Sequence, residues 1–243
     1  MSDKSRLLRI FESAEDPSLF LSPEGIRRVY PEFAAFVDAE ERRLAAMIDF
    51  DLEAAGGLGA PVGTDEAGRG PLAGPVTAAC VRFSVFPFIL FLNDSKRMNA
   101  RERLAARRLI LLSGCESAVR SVSSAEIDAT NILKSSLRAM REAFLALGRR
   151  PGILLVDGNR RVPDLDFPQM TVVGGDSRSF SVAAASVLAK TERDEIMDAL
   201  SIEYPGYGFE RHRGYPVKAH YEAIERLGPS PVHRLSFLSG RGK

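Results

Sequence analysis

Two carboxylates stand side by side at Asp65 and Glu66, in the stretch GTDEAGRGPLAGPVTAACV that runs from 63 to 81. Adjacent acids alone are ordinary surface decoration. Here they precede the turn Gly68, Arg69, Gly70 and a run of small residues, and glycine, which lacks a Cβ, lets a partner approach the backbone closely. Neighbouring side chains of a strand point to opposite faces, so both acids reach one ion only if the strand is ending, is bulged or lies at a sheet edge. Two further acids follow apolar runs, Asp157 after ILLV and Asp176 after TVVGG. Both positions read as places where a buried strand meets a loop, and ligands gather at such strand ends in open α/β sheets. Clustered carboxylates repel one another unless cations neutralise them, and hard oxygen donors select Mg²⁺ or Mn²⁺ over zinc. Such ions most often serve phosphoryl chemistry.

The elements that must position these acids are legible in the hydrophobic pattern. VTAACVRF, ESAVRSVS, GILLVD and MTVVGGD read as strands. Helices are predicted from Asn99, from about 125 to 147 and from about 180 to 202. This alternation is that of an α/β domain. Residues 1–60 differ: Phe33, Phe36, Val37, Leu44, Met47 and Ile48 recur at helical spacing, Ser22 and Pro23 suit a helix start, and AAGGLGAP reads as a turn. The expected division is a helical N-terminal extension over 1–60 and a catalytic domain over 61–243.

Composition excludes several classes. The chain of 243 residues carries a formal net charge of +1, so a nucleic-acid partner must be met by a local basic patch. Its 2 cysteines lack paired spacing, which argues against a disulfide framework or a zinc site and for a cytoplasmic setting. The greasiest run, VRFSVFPFILFL, is too short for a membrane span and is interrupted by Arg82 and Pro87.

From about Val62 to Phe237 the chain resembles bacterial ribonuclease HII of the type 2 ribonuclease H family. The resemblance is carried in order by GTDEAGRGPLAGPV, LNDSKRMN, EIDATNIL, LLVDGNR, GGDSR, AAASVLAKTERD, YPGYGFERHRGYP and VHRLSF. It implies the ribonuclease H-like fold, a central mixed five-stranded sheet flanked by helices with a helical C-terminal region. It also implies an endonuclease that cuts the RNA strand of RNA/DNA hybrids and cuts 5′ of single ribonucleotides in duplex DNA, with a role in removing misincorporated ribonucleotides and RNA primers. By the same resemblance Asp65, Glu66, Asp157 and Asp176 hold two Mg²⁺ or Mn²⁺ ions, and hydrolysis leaves 5′-phosphate and 3′-hydroxyl ends. The turn Gly68, Arg69, Gly70 would recognise the ribose 2′-hydroxyl and Tyr215 would stack on the next sugar; Lys96 is a candidate phosphate contact. A monomer is the default expectation.

Each assignment has a plainer competitor. Asp176 also suits the N-cap of the next helix, with Asp194 its rival as fourth ligand; Asp194 in turn suits a partner for Lys190 or Arg193, and Asp94 a cap for the helix near Asn99. Lys96 also reads as a solvated lysine. His212, His220 and His233 have no metal-site spacing, although His212 and Arg213 suit a groove wall. The basic helix NARERLAARRLI usually marks a solvated face. SVFPFILFLNDSK is unusual for the family, and its phenylalanines suit either a partner surface or tighter packing. Arg27, Arg28, Arg42 and Arg43 of the extension are candidate substrate contacts, and SFLSGRGK lacks a clamp-docking tail. Competing functions are the sister ribonuclease HIII, which carries a different glycine turn and a β-rich N-terminal domain, a hybrid binder without catalysis, and a transposase or Holliday-junction nuclease on the same fold.

Overall fold

The sheet is ordered by where apolar residues can be buried on both faces. In the computed structural model, which describes residues 2–148 and 151–238, VTAACVR forms β2 (Val76–Arg82), buried along its whole length. It lies between β1 (Val62–Ala67) and β3 (Glu116–Val122), antiparallel to both. β4 (Leu154–Asp157) runs parallel to β1, and β5 (Gln169–Val172) parallel to β4. The order β3-β2-β1-β4-β5 is the mixed five-stranded sheet that the resemblance implies.

Helices close both faces. On one lies α7 (Phe180–Glu203), whose first half is buried and rich in alanine and serine. Those small side chains let its backbone come so near β1 that a Cβ on Gly63 would sit 2.1 Å from the carbonyl carbon of Ser181. The other face is covered by α6 (Ile132–Ala146), which buries Ala139, Met140, Ala143 and Phe144 on one stripe. The continuous helix expected over about 125–147 is in fact two, α5 (Ser124–Ala129) and α6. Asn131 between them is extended, with φ −174°, and its side chain accepts from the Lys134 amide, so it starts a second helix.

The N-terminal segment folds as α1 (Asp3–Ser13), α2 (Pro23–Val29) and α3 (Ala34–Ala55), with Ser22 capping α2 and left-handed Gly56 ending α3. Its Leu7, Phe11, Phe20, Phe33 and Leu44 share one buried cluster with Phe83, Ile89, Leu90, Phe91 and Leu92. Phe83 meets Phe180 edge-on at 5.1 Å. Of the two readings of the phenylalanine-rich segment, tight packing is the one found. Asp51 of α3, itself buried, accepts from the Ser181 amide at 2.8 Å and so fastens the segment to the first turn of α7.

Two cap expectations are corrected. The cap of α4 (Ala100–Leu112) is Asn99, in a reciprocal box with Glu102, while Asp94 accepts from the Lys96 amide at 2.8 Å. The cap of α7 is Ser179, which accepts from the Val182 amide, so Asp176 is free of that duty. The last helices are α8 (Phe209–His212), α9 (Lys218–Leu227) and α10 (Leu235–Leu238). The tail from 239 to 243, to which the clamp-docking expectation in part refers, lies outside the described residues.

The crossing of α7 over β1 leaves no room at Gly63. Gly63→Ala is expected to destabilise the fold by about 3 kcal/mol in urea unfolding. A loss under about 0.5 kcal/mol would show that helix and strand are not held this close.

Candidate active site

The acids collect where two parallel strands part. β1 and β4 stay in register only through Thr64↔Val156, whereas β1 goes on pairing with β2 as far as Ala67↔Thr77. The next residues on the two parting strands are Asp65 and Asp157. β1 thus parts from β4 at Asp65 but stays paired with β2 to its end, so the two adjacent acids still leave it on opposite faces.

Asp65 is buried and lies beside the Ser186 hydroxyl of α7, while Glu66 faces α6 next to Leu133 and Leu137. A cleft of about 240 Å³ brings Asp65, Glu66 and Asp157 together with Gly68, Arg69 and Gly70, and Tyr215 and Lys96 also line it. Asp176 sits in a short turn beyond β5, buried, with Lys96 Nζ 3.0 Å from its Oδ2. Among the described residues no three His, Cys, Asp or Glu side chains converge on one point. The reasons are local: Asp65 and Glu66 leave the strand on opposite faces, Gly175 N–H donates to Asp157 Oδ1 at 2.7 Å, and the Lys96 ammonium takes Asp176.

Electrostatics express the same tension. Burial pushes the Asp65 carboxyl well above the usual carboxylate range, and the charges of Glu66 and Asp157 push it further. Burial also raises Glu66, against the pull of Arg69, whose Nη1 lies 3.4 Å from its Oε1. Asp157 is raised by burial and by Asp176, with the Gly175 amide opposing. Burial alone would lower Lys96, but its bond to Asp176 and the neighbouring carboxylates outweigh that and raise it. These hard oxygen donors, short of positive charge, fit divalent cations; in their place the Lys96 ammonium sits on Asp176 and the Arg69 guanidinium on Glu66.

Several candidates are spent elsewhere. His212 Nε2 meets the Tyr207 carbonyl at 2.8 Å, and Arg213 pairs with Asp198. Asp194 takes Lys190 at 2.5 Å, not Arg193. Arg101 and Arg107 of the basic helix pair with Glu12, Glu192 and Glu195. In the extension, Arg27 holds Asp38 and Glu41, and Arg43 holds Glu40.

Other residues at the site escaped the sequence reading. Ser186 and Lys190 of α7 line the cleft, and their i, i+4 spacing was the available signal. Arg193 and Arg234 are wholly buried beneath the glycine turn, where burial lowers them to about 10 and about 9. A one-dimensional charge pattern gives no sign of that.

Comparison with known proteins decides the family. The family model described as Ribonuclease HII matches residues 62–239. The chain belongs to the ribonuclease HII family. Ribonuclease HII of Pelodictyon phaeoclathratiforme is 52% identical over 180 residues, covering 72% of this chain and 87% of that one. Ribonuclease HII of Paracoccus denitrificans is 48% identical over 192 residues, covering 78% and 91%. A solved PCNA:RNase HII complex from Archaeoglobus fulgidus contains a chain similar in fold, with TM-score 0.62 and 24% identity, covering 76% of this chain and 95% of that one. Bst-RNase HIII in complex with Mn²⁺ gives TM-score 0.56 at 21% identity, covering 73% and 66%. This ribonuclease HII chain is thus a ribonuclease H, a hydrolase of RNA/DNA hybrids from a family that depends on divalent metal. Among the described residues no helix is long and apolar enough to cross a membrane.

The histidines behind the cleft make the fold acid-sensitive. Burial holds His220 down to about 4, so it stays neutral in the fold while an unfolded histidine protonates near 6.5. Stability is then complete above about pH 6.5 and falls as pH drops towards 4, by roughly 2–3 kcal/mol. Chemical denaturation of the wild type at pH 7 and pH 4.5, beside His220→Gln, checks this: the variant should lose the greater part of the difference.

Proposed function

We propose that Asp65, Glu66, Asp157 and Asp176 hold two divalent ions and that the enzyme cuts on the 5′ side of single ribonucleotides in duplex DNA as well as within RNA/DNA hybrids. The observation that carries this is the adjacency of Asp65 and Asp157 at the parting of β1 and β4, in the cleft that also presents the glycine turn and Tyr215. When bound, Mg²⁺ or Mn²⁺ would supply Lewis-acid neutralisation of the scissile phosphate and acidify an attacking water.

The chain's own groups supply the rest. The carboxylates hold the cations. Asp65, packed under α7, and Asp157, fixed by the Gly175 amide, are the rigid members. Lys96, which lines the cleft and pairs with Asp176, would be placed to meet a phosphate oxygen. Arg69 is exposed at the rim, where its planar fork suits the backbone of the bound strand.

Selection for the sugar rests on the turn and the tyrosine. A 2′-hydroxyl is read by backbone groups only within hydrogen-bond distance, which Gly68 and Gly70 allow. The Tyr215 ring, 40% exposed, offers a face to the next sugar irrespective of base. Hydrolysis then leaves 5′-phosphate and 3′-hydroxyl ends, the chemistry needed to begin removing misincorporated ribonucleotides and RNA primers. We assign this activity to residues 61–243 and regard the helices before it as an appendage sharing their core.

A labelled duplex with one ribonucleotide, incubated with Mg²⁺, should be cut once on the 5′ side of that residue, while all-DNA duplex and EDTA controls stay intact. Cutting confined to long hybrids would overturn the single-ribonucleotide reading. Asp65→Asn should lower the rate by about 10²- to 10³-fold or more. Without metal it should be at least as heat-stable as the wild type, because a repelled buried charge is gone. With Mg²⁺ it should gain less in Tm than the wild type. An active Asp65→Asn enzyme would exclude the residue as a ligand.

A further inference from the structure

Arg234 is wholly buried and makes no ion pair among the described residues. All its hydrogen bonds run to backbone carbonyls: Nη2 donates to Gly68 O at 2.6 Å and Gly74 O at 2.9 Å, Nη1 to Arg69 O at 3.0 Å, and Nε to Gly74 O at 3.0 Å. A trans peptide is planar, so a carbonyl drawn to one side turns the next residue's N–H to the other. The carbonyls of Gly68 and Arg69 point at Arg234, so the amides of Arg69 and Gly70 point away from it. Neither amide has an acceptor among the described residues, and both residues line the cleft.

The preceding residue leads to Tyr215, whose ring lies beside Gly70. His233 Nδ1 accepts from the Ser230 amide at 2.9 Å, which places its proton on Nε2. That nitrogen lies 3.1 Å from Nε2 of His220, which must therefore accept. The His220 proton is then on Nδ1, 3.0 Å from the carbonyl of Tyr215, to which it donates. The chain of hydrogen bonds from Ser230 through His233 and His220 ends on the backbone of the residue whose ring lines the cleft.

We propose that residues 230–234 form the fixture that makes the cleft selective for a ribonucleotide: Arg234 aims the Arg69 and Gly70 amides into it, and His233, acting through His220, seats Tyr215. This rests on the reading of the glycine turn and Tyr215 given under Proposed function. Arg234 and His233 reach the nucleotide only through other residues, so both are positioning residues. Arg193 supports the same loop from the α7 side, donating to Ala73 O and Pro75 O. A lysine at 234 would keep the charge but lacks the planar fork that holds several carbonyls at once, leaving the turn free to rotate a peptide.

The test is the ratio of dissociation constants for an all-DNA duplex and a matched duplex with one ribonucleotide, read by fluorescence anisotropy on full-length protein. The wild type should prefer the ribonucleotide duplex. Arg234→Lys should cut the preference about tenfold, towards one, with affinity for the all-DNA duplex unchanged. His233→Leu should lower it as well, and His233→Gln, whose amide offers both an acceptor and a donor, should restore part of it. A role in stability alone would change the active fraction and leave the ratio intact. Should Arg234→Lys not fold, amide exchange in the wild type decides: the Arg69 and Gly70 amides should exchange fast in the free protein and slow on adding the ribonucleotide duplex but not the all-DNA one. Amides already protected in the free protein, or a preference unchanged in folded variants, would overturn the fixture while sparing the proposed function. A wild-type ratio of one with the 5′ cut intact would overturn the fixture alone, and a ratio of one with no cut at the ribonucleotide would overturn both.

Discussion

Mutual repulsion among buried carboxylates is the constraint on which this molecule is organised. Asp65 lies in a low-dielectric setting beside two other acids, an arrangement that stays charged only when cations supply the missing field. The fold meets that cost in three ways. It lets β1 and β4 part at the acids, so that the carboxylates are not forced into a shared ladder position. It places a backbone amide on Asp157 and an ammonium on Asp176. It also keeps the carbonyl-rich loop behind the turn from adding negative potential, by threading two guanidinium groups through it.

The rest of the architecture serves rigidity at that point. β2 is buried throughout because it lies between strands and under helices on both faces, and it carries β1 along its whole length. Asp51 and the phenylalanine cluster anchor α7 at its start, where the helix crosses β1 at Gly63. The N-terminal helices pack against this start, and Arg27 and Arg43, two of the four arginines considered for substrate contact, are turned to carboxylates of their own segment.

What the sequence revealed and what it hid separate along a physical line. β2 and β4 were readable because they are short apolar runs, and the resemblance supplied the turn and tyrosine that geometry then gathered into one cleft. The break between α5 and α6 was missed because no glycine or proline marks it: the interruption is a single side chain, Asn131, capping locally. The cap reading of Asp94, and the lesser cap reading of Asp176, failed because Asn99 and Ser179 stand immediately before the helices and cap them. Arg193 and Arg234 were invisible for a different reason. Their partners are carbonyl oxygens brought from distant segments, and every residue type carries one, so no pattern of side chains announces the contact.

The length of α7 has a consequence of its own. One continuous helix touches β1 at Ser181, presents Ser186 and Lys190 to the cleft and sends Arg193 under the loop behind the glycine turn. A helix advances by about 100° per residue. Adding or removing one residue between 181 and 193 would swing the later groups about a quarter-turn around the axis while leaving the earlier ones in place. The helix thus works as a ruler that permits substitution along its length but forbids a change of count, and the spacing of these four positions is as much part of the enzyme as their chemistry.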